Sequence, residues 1–196
     1  MAADASHQKR ALRAELRERR RNVTSPERTA AAAGLTANLQ RLVQDTGAKS
    51  LACYLSTSDE PDTRPFLDWA LKSNLRVLLP ITRSDGLLDW TVWAGDESVG
   101  LFDLPEPVGA VLGPIAINDV QLILVPAACV DERGTRMGWG RGYFDKTLGS
   151  MERCPPVYAV VFDAEVLSEV PRERHDQPVD GAVTPERILA FPRRQH

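Results

Sequence analysis

Residues 121–148 read QLILVPAACVDERGTRMGWGRGYFDKTL, and the fold turns on how this stretch is read. Residues 121–125 form a short run dominated by Leu, Ile and Val and ended by Pro126, the pattern of a strand buried on both faces. Downstream, Gly138, Gly140 and Gly142 stand at every second position, where the backbone can take unusual dihedrals and approach a ligand closely. A helix beginning near Tyr143 completes a strand–loop–helix unit. In open α/β sheets ligands bind beyond the carboxyl ends of strands, so the glycine loop is where chemistry belongs.

Working outward, the same alternation recurs. Residues 157–162 (VYAVVF) predict a second strand buried on both faces. Residues 50–55 (SLACYL) and 76–79 (RVLL) predict shorter strands, with a short helix over 65–72 between them. Residues 87–93 alternate apolar and polar as a half-exposed strand does, and the Gly/Pro-rich passage 95–114 predicts little regular structure. Two helices precede all of this. After a loose leader over 1–6, residues 7–22 are rich in strong helix formers, but Leu12 and Leu16 give one apolar i,i+4 pair, too narrow a stripe for a core helix. The second helix is expected to begin at Ser25-Pro26-Glu27, with Ser25 as cap and Pro26 at the first helical position. Leu35, Leu39, Leu42 and Val43 supply its buried face and Gly47 ends it. The expected fold class is α/β, a three-layer sandwich with a mainly parallel sheet and a basic N-terminal helix. The whole reads as one domain over 1–196, a basic helical arm (1–22) before an α/β body (23–196).

Composition bounds the function. The protein has 196 residues, 43% hydrophobic and 26% charged, enough to bury a core without disulfides. Its formal charge of -3 argues against a surface that coats nucleic acid. The charge is uneven, because residues 1–28 are net basic and the remainder is acidic. Cys53, Cys129 and Cys154 are odd in number and lack a C-x-x-C pair, so neither a disulfide framework nor a zinc-finger spacing is present. Each lies in or beside an apolar run, and buried, inert thiols are expected. With no apolar leader and no stretch of membrane-spanning length, the expected location is cytoplasmic, with no membrane partner.

Arg136 and Arg141 in the loop supply fork-shaped donors for phosphate oxygens, and Asp145 is a possible metal carboxylate. Together these describe a phosphate and Mg²⁺ site. Two common nucleotide motifs fail here. Asp145 replaces the second glycine of the Walker pattern over 140–147, and Tyr143 replaces the third glycine of G-x-G-x-x-G. The plainer alternative is a glycine loop that only closes a strand–helix turn.

RMGWGRGYFDK, residues 136–146, resembles the signature R-L-G-x-G-x-G-Y-Y-D-R of the 5-formyltetrahydrofolate cyclo-ligase family. Lys9-Arg10-Ala11-Leu12-Arg13 is similar to that family's N-terminal K-x-x-L-R element, Tyr54-Leu55-Ser56 through Asp59-Glu60 to its strand and acidic loop, and LPEP at 104–107 to its mid-sequence E-P. LVPAACVDERG resembles the lead-in to the signature, and Arg174-His175-Asp176 a C-terminal E-x-H-D element. Departures are Phe144 for Tyr, Lys146 for Arg, Val130 for Phe, and Arg174 beside the histidine. The resemblance implies ATP- and Mg²⁺-dependent ring closure of 5-formyltetrahydrofolate. It implies ATP binding by Lys9, Arg10, Ala11, Leu12 and Arg13, and by the signature residues Arg136, Met137, Gly138, Trp139, Gly140, Arg141, Gly142, Tyr143 and Phe144. Arg136 and Arg141 are the implied catalytic residues, Leu55 and Glu60 the substrate-binding pair, and Asp145 and Asp176 the metal carboxylates. Glu60 suits a pterin because a carboxylate can accept two parallel N–H bonds from a 2-aminopyrimidinone edge.

Plainer readings stand beside these. Lys9 and Arg13 can form a solvated helix face, and Arg17, Arg19, Arg20 and Arg21 are assigned to one. Glu60 can be an exposed acid in a turn, with Asp59 and Asp62 as neighbours. Asp131, Asp163 and Asp180 are weaker metal candidates. His175 is expected to be structural rather than a general base. Trp139 and Tyr143 are placed beside a ligand, whereas Trp69, Trp90 and Trp93 go to core or groove packing. The protein is expected to act as a monomer on folate and ATP, without nucleic acid. The rivals are a non-enzymatic nucleotide- or RNA-binding module on the same fold and a phosphotransferase or CoA-type enzyme.

Overall fold

The computed structural model describes residues 2–192. Two helices come first, α1 (Ala2–Arg21) and α2 (Ser25–Thr46), followed by β1 (Ser50–Ala52), α3 (Arg64–Lys72), β2 (Arg76–Thr82) and β3 (Leu88–Val92). A small ribbon, β4 (Glu97–Val99) and β5 (Pro105–Pro107), leads to β6 (Leu122–Pro126), β7 (Cys129–Asp131) and β8 (Arg136–Met137). Then come α4 (Tyr143–Ser150), β9 (Val157–Val160), β10 (Val166–Leu167), β11 (Gly181–Val183) and β12 (Ile188–Ala190). Helix begins at Ala2, so the expected loose leader is helical from that residue.

The main sheet has the order β12-β11-β9-β6-β1-β2-β3. Its five inner strands are parallel, and β3 and β12 close the two edges antiparallel. The period-2 alternation of β6 divides the core. Leu122 and Leu124 face the layer that contains Leu35, Leu39, Phe66 and Leu67 of α2 and α3. Ile123 and Val125 face the opposite layer, with Trp90, Ile117 and Leu148. Helices thus cover both faces, and the three-layer α/β expectation holds. Each fully buried Leu or Ile contributes about 1.5–3 kcal/mol relative to exposure, so two such faces on one strand make β6 the spine of the fold.

The direction of the crossovers then creates a crevice. From β1 the backbone crosses through α3 to β2 on one side, whereas from β6 it crosses through α4 to β9 on the other. The segments leaving the carboxyl ends of β1 and β6 part from one another at this switch point.

Three local expectations need correction. The cap of α2 is Thr24, not Ser25. Its hydroxyl faces the Glu27 N–H while the Glu27 carboxylate accepts from the Thr24 N–H at 2.8 Å, a reciprocal box that only the spacing from 24 to 27 allows. Gly47 ends the helix in the left-handed conformation as expected (φ 66°). Cys154 is exposed, unlike Cys53 and Cys129, because it lies in the loop before β9 and not within the strand. Most important, α1 is docked. Leu16 is fully buried with Ala128, Cys129, Met137 and Val170, and Leu12 packs against that cluster. Lys9 and Arg20 are also buried, so the inward stripe runs through residues 9, 12, 13, 16 and 20 at helical spacing. Two leucines alone made it look narrow, because the rest of the stripe is cationic.

Candidate active site

The signature turn starts from β8 and enters α4. Gly140 (φ 101°) and Gly142 (φ 70°) hold the left-handed region, where a Cβ would strain the backbone, and this lets the turn reverse into the helix at Tyr143. Arg136 is buried under the turn. Its Nη2 donates to Asp145 Oδ1 at 2.6 Å and its Nη1 to the Pro126 carbonyl at 3.1 Å, tying the end of β6 to the first turn of α4. Arg141 is exposed, and its guanidinium lies 3.7 Å over the Phe102 ring. Phe102 and Asp103 both have left-handed backbones (φ 63° and 57°), so this contact brings a strained corner of the 95–114 passage to the signature.

Across the crevice stands the segment after β1. Glu60 accepts the Thr57 N–H at 2.9 Å and the Thr57 hydroxyl at 3.2 Å, both on Oε2. The residue is half-buried, but its carboxylate is desolvated, and that burial holds its pKa above the ordinary value despite these bonds and the Arg20 charge. The plain reading of Glu60 as an exposed turn acid is therefore set aside. Tyr54 and Leu55 are buried beside it, and burial together with the Glu60 charge pushes the Tyr54 phenol well up.

Helix α1 forms a third wall. Arg13 Nε donates to the Gly138 carbonyl at 2.8 Å. Arg20, assigned from sequence to a solvated face, is 1% exposed. Its Nε and Nη2 bond the two Glu165 oxygens at 2.6 and 2.7 Å, and Nη2 also reaches the Ala127 carbonyl at 2.8 Å. Burial alone would lower its pKa, but the bonds and charge of Glu165 outweigh that and raise it. The guanidinium stacks over Trp139 at 4.7 Å and Phe162 at 5.5 Å. Arg17 is exposed yet also lies over Trp139, at 5.4 Å. Arg19 and Arg21 do occupy the solvated face, paired along the helix with Glu15 and Glu18.

These walls enclose a cleft of about 310 Å³. It brings together Leu55, Glu60, Arg136, Gly138, Trp139, Arg141, Gly142, Tyr143, Phe144 and Asp145 from the sequence-derived set, and adds Arg17, Arg20, Tyr54, Thr57 and Asp59. Arg10 and Ala11 are exposed and Met137 is core, and these three, with Leu12, Arg13, Gly140 and Asp176, lie outside the lining. Lys9 does not reach into the cleft. Its ammonium lies 2.5 Å from Asp176 Oδ2 and 2.8 Å from Glu173 Oε2. The signal that could have found Arg20 is its register with Lys9, Leu12, Arg13 and Leu16.

Asp145 Oδ1 accepts the N–H of Gln177, the residue that follows Asp176, at 3.2 Å. Glu173, His175 and Asp176 bring ligand atoms within 4.8 Å of one another. This oxygen-rich set suits a hard divalent cation. Arg136 and Lys9 hold the two aspartates, so a metal would enter by exchanging with a protein cation. The weaker metal candidates have structural partners. Asp131 accepts the N–H groups of Arg133, Thr135 and Val170, Asp163 bonds Thr184 and the Glu186 N–H, and Asp180 accepts the Val157 N–H. His175 is exposed, 3.8 Å from Asp176. Trp90 and Trp93 are buried and Trp69 packs on the core, as expected.

A switch-point crevice of this size marks an α/β protein that handles a small ligand. Residues 5–185 match the 5-formyltetrahydrofolate cyclo-ligase family, and the protein belongs to that family of ligases. It is 35% identical over 182 residues to the 5-formyltetrahydrofolate cyclo-ligase of Mycolicibacterium smegmatis, covering 90% of this protein and 93% of that one. The Escherichia coli K12 protein of the same name is 25% identical, over 88% of the present sequence and 98% of its own. Among solved structures, the Aquifex aeolicus 5,10-methenyltetrahydrofolate synthetase superposes with a TM-score of 0.79 at 27% identity, covering 96% of this protein and 95% of the other. Among the described residues, no helix is long and apolar enough to cross a membrane.

Proposed function

We propose that this protein closes 5-formyltetrahydrofolate to 5,10-methenyltetrahydrofolate, consuming ATP with Mg²⁺ and releasing ADP and phosphate. The observation that carries the reading is the meeting of Glu60 and the Arg136–Asp145 turn in one cleft at the switch point. An N-formyl amide is a poor electrophile with a poor leaving group. Moving the γ-phosphoryl group to the formyl oxygen makes that oxygen a leaving group, N10 attacks the activated carbon and gives up its proton to water, and phosphate departs. The protein's part is positioning and charge compensation.

Glu60, with Leu55 against the ring, orients the pterin. Arg141 is exposed and held by stacking alone, so it is free to turn from Phe102 toward the transferred phosphoryl group. Arg136, fixed at the base of the turn, supplies the second compensating charge. The glycine turn and Arg13 form the nucleotide side, with Lys9 behind them on Asp176, and Asp145 and Asp176 would hold Mg²⁺, which neutralises triphosphate charge when bound. The enzyme is read as a cytoplasmic monomer without a nucleic-acid partner. The test follows methenyl-folate absorbance from 5-formyltetrahydrofolate with ATP and Mg²⁺ together and with each omitted. Product that requires all three components supports the reading. Well-folded protein that gives none overturns it.

A further inference from the structure

The turn that carries Glu60 is a partition between two cavities. Thr57 and Glu60 line the cleft, and both also line a second cavity of about 600 Å³, which Arg28, Ser58 and Arg64 help to enclose. None of residues 57–60 is fully buried, so hydrogen bonds rather than packing set where the turn stands. The Glu60 N–H donates to the Thr57 carbonyl at 3.2 Å, while the Glu60 carboxylate folds back onto the Thr57 N–H and hydroxyl, both on Oε2. The position of Thr57 therefore decides the position of the carboxylate.

Two arginines from outside the turn hold the carbonyls on either side of Thr57. Arg28 of α2 donates from Nη1 to the Ser58 carbonyl at 2.8 Å and from Nη2 to the Arg20 carbonyl near the end of α1. Arg64, the first residue of α3, donates from Nη1 to the Ser56 carbonyl at 2.8 Å and to the Ser56 hydroxyl at 3.2 Å. The Arg64 contact bears directly on Glu60. The Ser56 carbonyl and the Thr57 N–H belong to one planar trans peptide group, so they point in opposite directions. That rigid unit has the guanidinium at its carbonyl end and Glu60 Oε2 at its N–H end, 2.9 Å away. Fixing one end fixes the other, and a cation at the carbonyl polarises the group so that its N–H becomes a stronger donor to a carboxylate. Arg64 is itself held, because Glu97 accepts from its Nη2 at 3.0 Å and its Nε at 3.2 Å.

We propose that Arg64 is a positioning residue for Glu60, acting through the peptide group between Ser56 and Thr57. This assignment rests on the reading of Glu60 as the group that orients the folate ring. Arg64 does not line the cleft, so it acts on the substrate only through that carboxylate.

Arg64→Ala, Glu60→Gln, the two combined, and Glu97→Gln are titrated with 5-formyltetrahydrofolate and separately with ATP, followed by tryptophan fluorescence, with a thermal melt as folding control. Arg64 is half-buried at the start of a helix, so its replacement by alanine should fold. Arg64→Ala should weaken folate binding about three- to tenfold and ATP binding less than about twofold. In the Glu60→Gln background the same substitution should cost less than about twofold, because a residue that acts through the carboxylate has little left to act on. A merely structural loss would weaken both backgrounds alike. Glu97→Gln cuts only the tie to the ribbon of β4 and β5, and folate binding should stay within about twofold of wild type. Amide exchange of Thr57 in the ligand-free protein should speed up about three- to tenfold in Arg64→Ala. Unchanged folate binding or unchanged Thr57 exchange in folded Arg64→Ala overturns the assignment. So does equal weakening in both backgrounds, equal loss of ATP, or a matching loss in Glu97→Gln. If Glu60→Gln alone leaves folate binding untouched, the folate reading of the cleft falls instead, and Thr57 exchange still decides whether Arg64 sets the donor that holds the carboxylate.

Discussion

Replacing Arg20 with alanine should destabilise the protein strongly, and the structure sets the scale. The guanidinium is 1% exposed and occupies both oxygens of Glu165, which is itself buried. Without it the carboxylate keeps the Phe162 N–H at 2.8 Å but no cation. Breaking a buried ion pair from one side costs about 3–5 kcal/mol, because the surviving charge stays away from water uncompensated. In a protein of this length each kcal/mol lowers Tm by about 2–4 °C, so a fall of roughly 6–20 °C is expected. Arg19→Ala is the internal control, since Arg19 is exposed and pairs only with Glu15 one turn away. It should melt with the wild type. Arg20→Met combined with Glu165→Leu removes both charges and fills the space with apolar atoms, so it should recover most of the loss. Thermal melts of the four proteins in one buffer, followed by circular dichroism, read all of this. The reasoning is refuted if Arg20→Ala melts within about 2 °C of wild type, or if the double variant is no more stable than the single one.

Asp145→Asn should keep the fold but lower its stability by about 3 kcal/mol, because buried Arg136 loses its carboxylate, and should sharply lower turnover, which excess Mg²⁺ should partly restore; normal kinetics at low Mg²⁺ would place the metal elsewhere. Glu60→Gln should weaken 5-formyltetrahydrofolate by about 1.5–3 kcal/mol with little change for ATP, read by separate titrations, and equal loss of both ligands would indicate misfolding. The same variant tests linkage. Burial holds the folded-state pKa of Glu60 above its unfolded value, so folding takes up a proton between the two values and stability falls as pH rises through that interval. The difference in stability between wild type and Glu60→Gln should follow this slope across the acidic range, and a difference that does not vary with pH would refute the linkage. Lys9→Ala removes the cation shared by Glu173 and Asp176. It should lower stability by about 3 kcal/mol and raise the KM for ATP, and an unchanged melt would refute the buried pairing.

Local signals carried much of the architecture. Residues 122–125 are apolar at every position because β6 is covered on both faces, and that pattern is visible without knowing what covers it. The left-handed backbone at Gly140 and Gly142, and the helix that starts at Tyr143, follow from residue types within one turn. Glu60 was named through the family resemblance, since its loop alone reads only as a turn, and its desolvation was not legible at all. Burial at that point depends on walls that α1 and the signature segment bring to it.

The first helix marks the boundary. Its composition determined that residues 7–21 would be helical, since helix propensity belongs to the residues themselves and their near neighbours. Whether it is a free arm or a wall of the cleft was decided elsewhere. Lys9 finds its carboxylates 164 and 167 residues away, and Arg20 finds Glu165 at a separation of 145. A cation reads as solvent-facing in any scan of hydrophobicity, because its burial depends on an opposite charge that only folding brings near. The sequence by itself determined the parallel sheet, the signature turn and the residue types available for chemistry. Tertiary structure alone decided which charges lie buried and which groups pair, because burial and pairing belong to distances between segments rather than to the segments themselves.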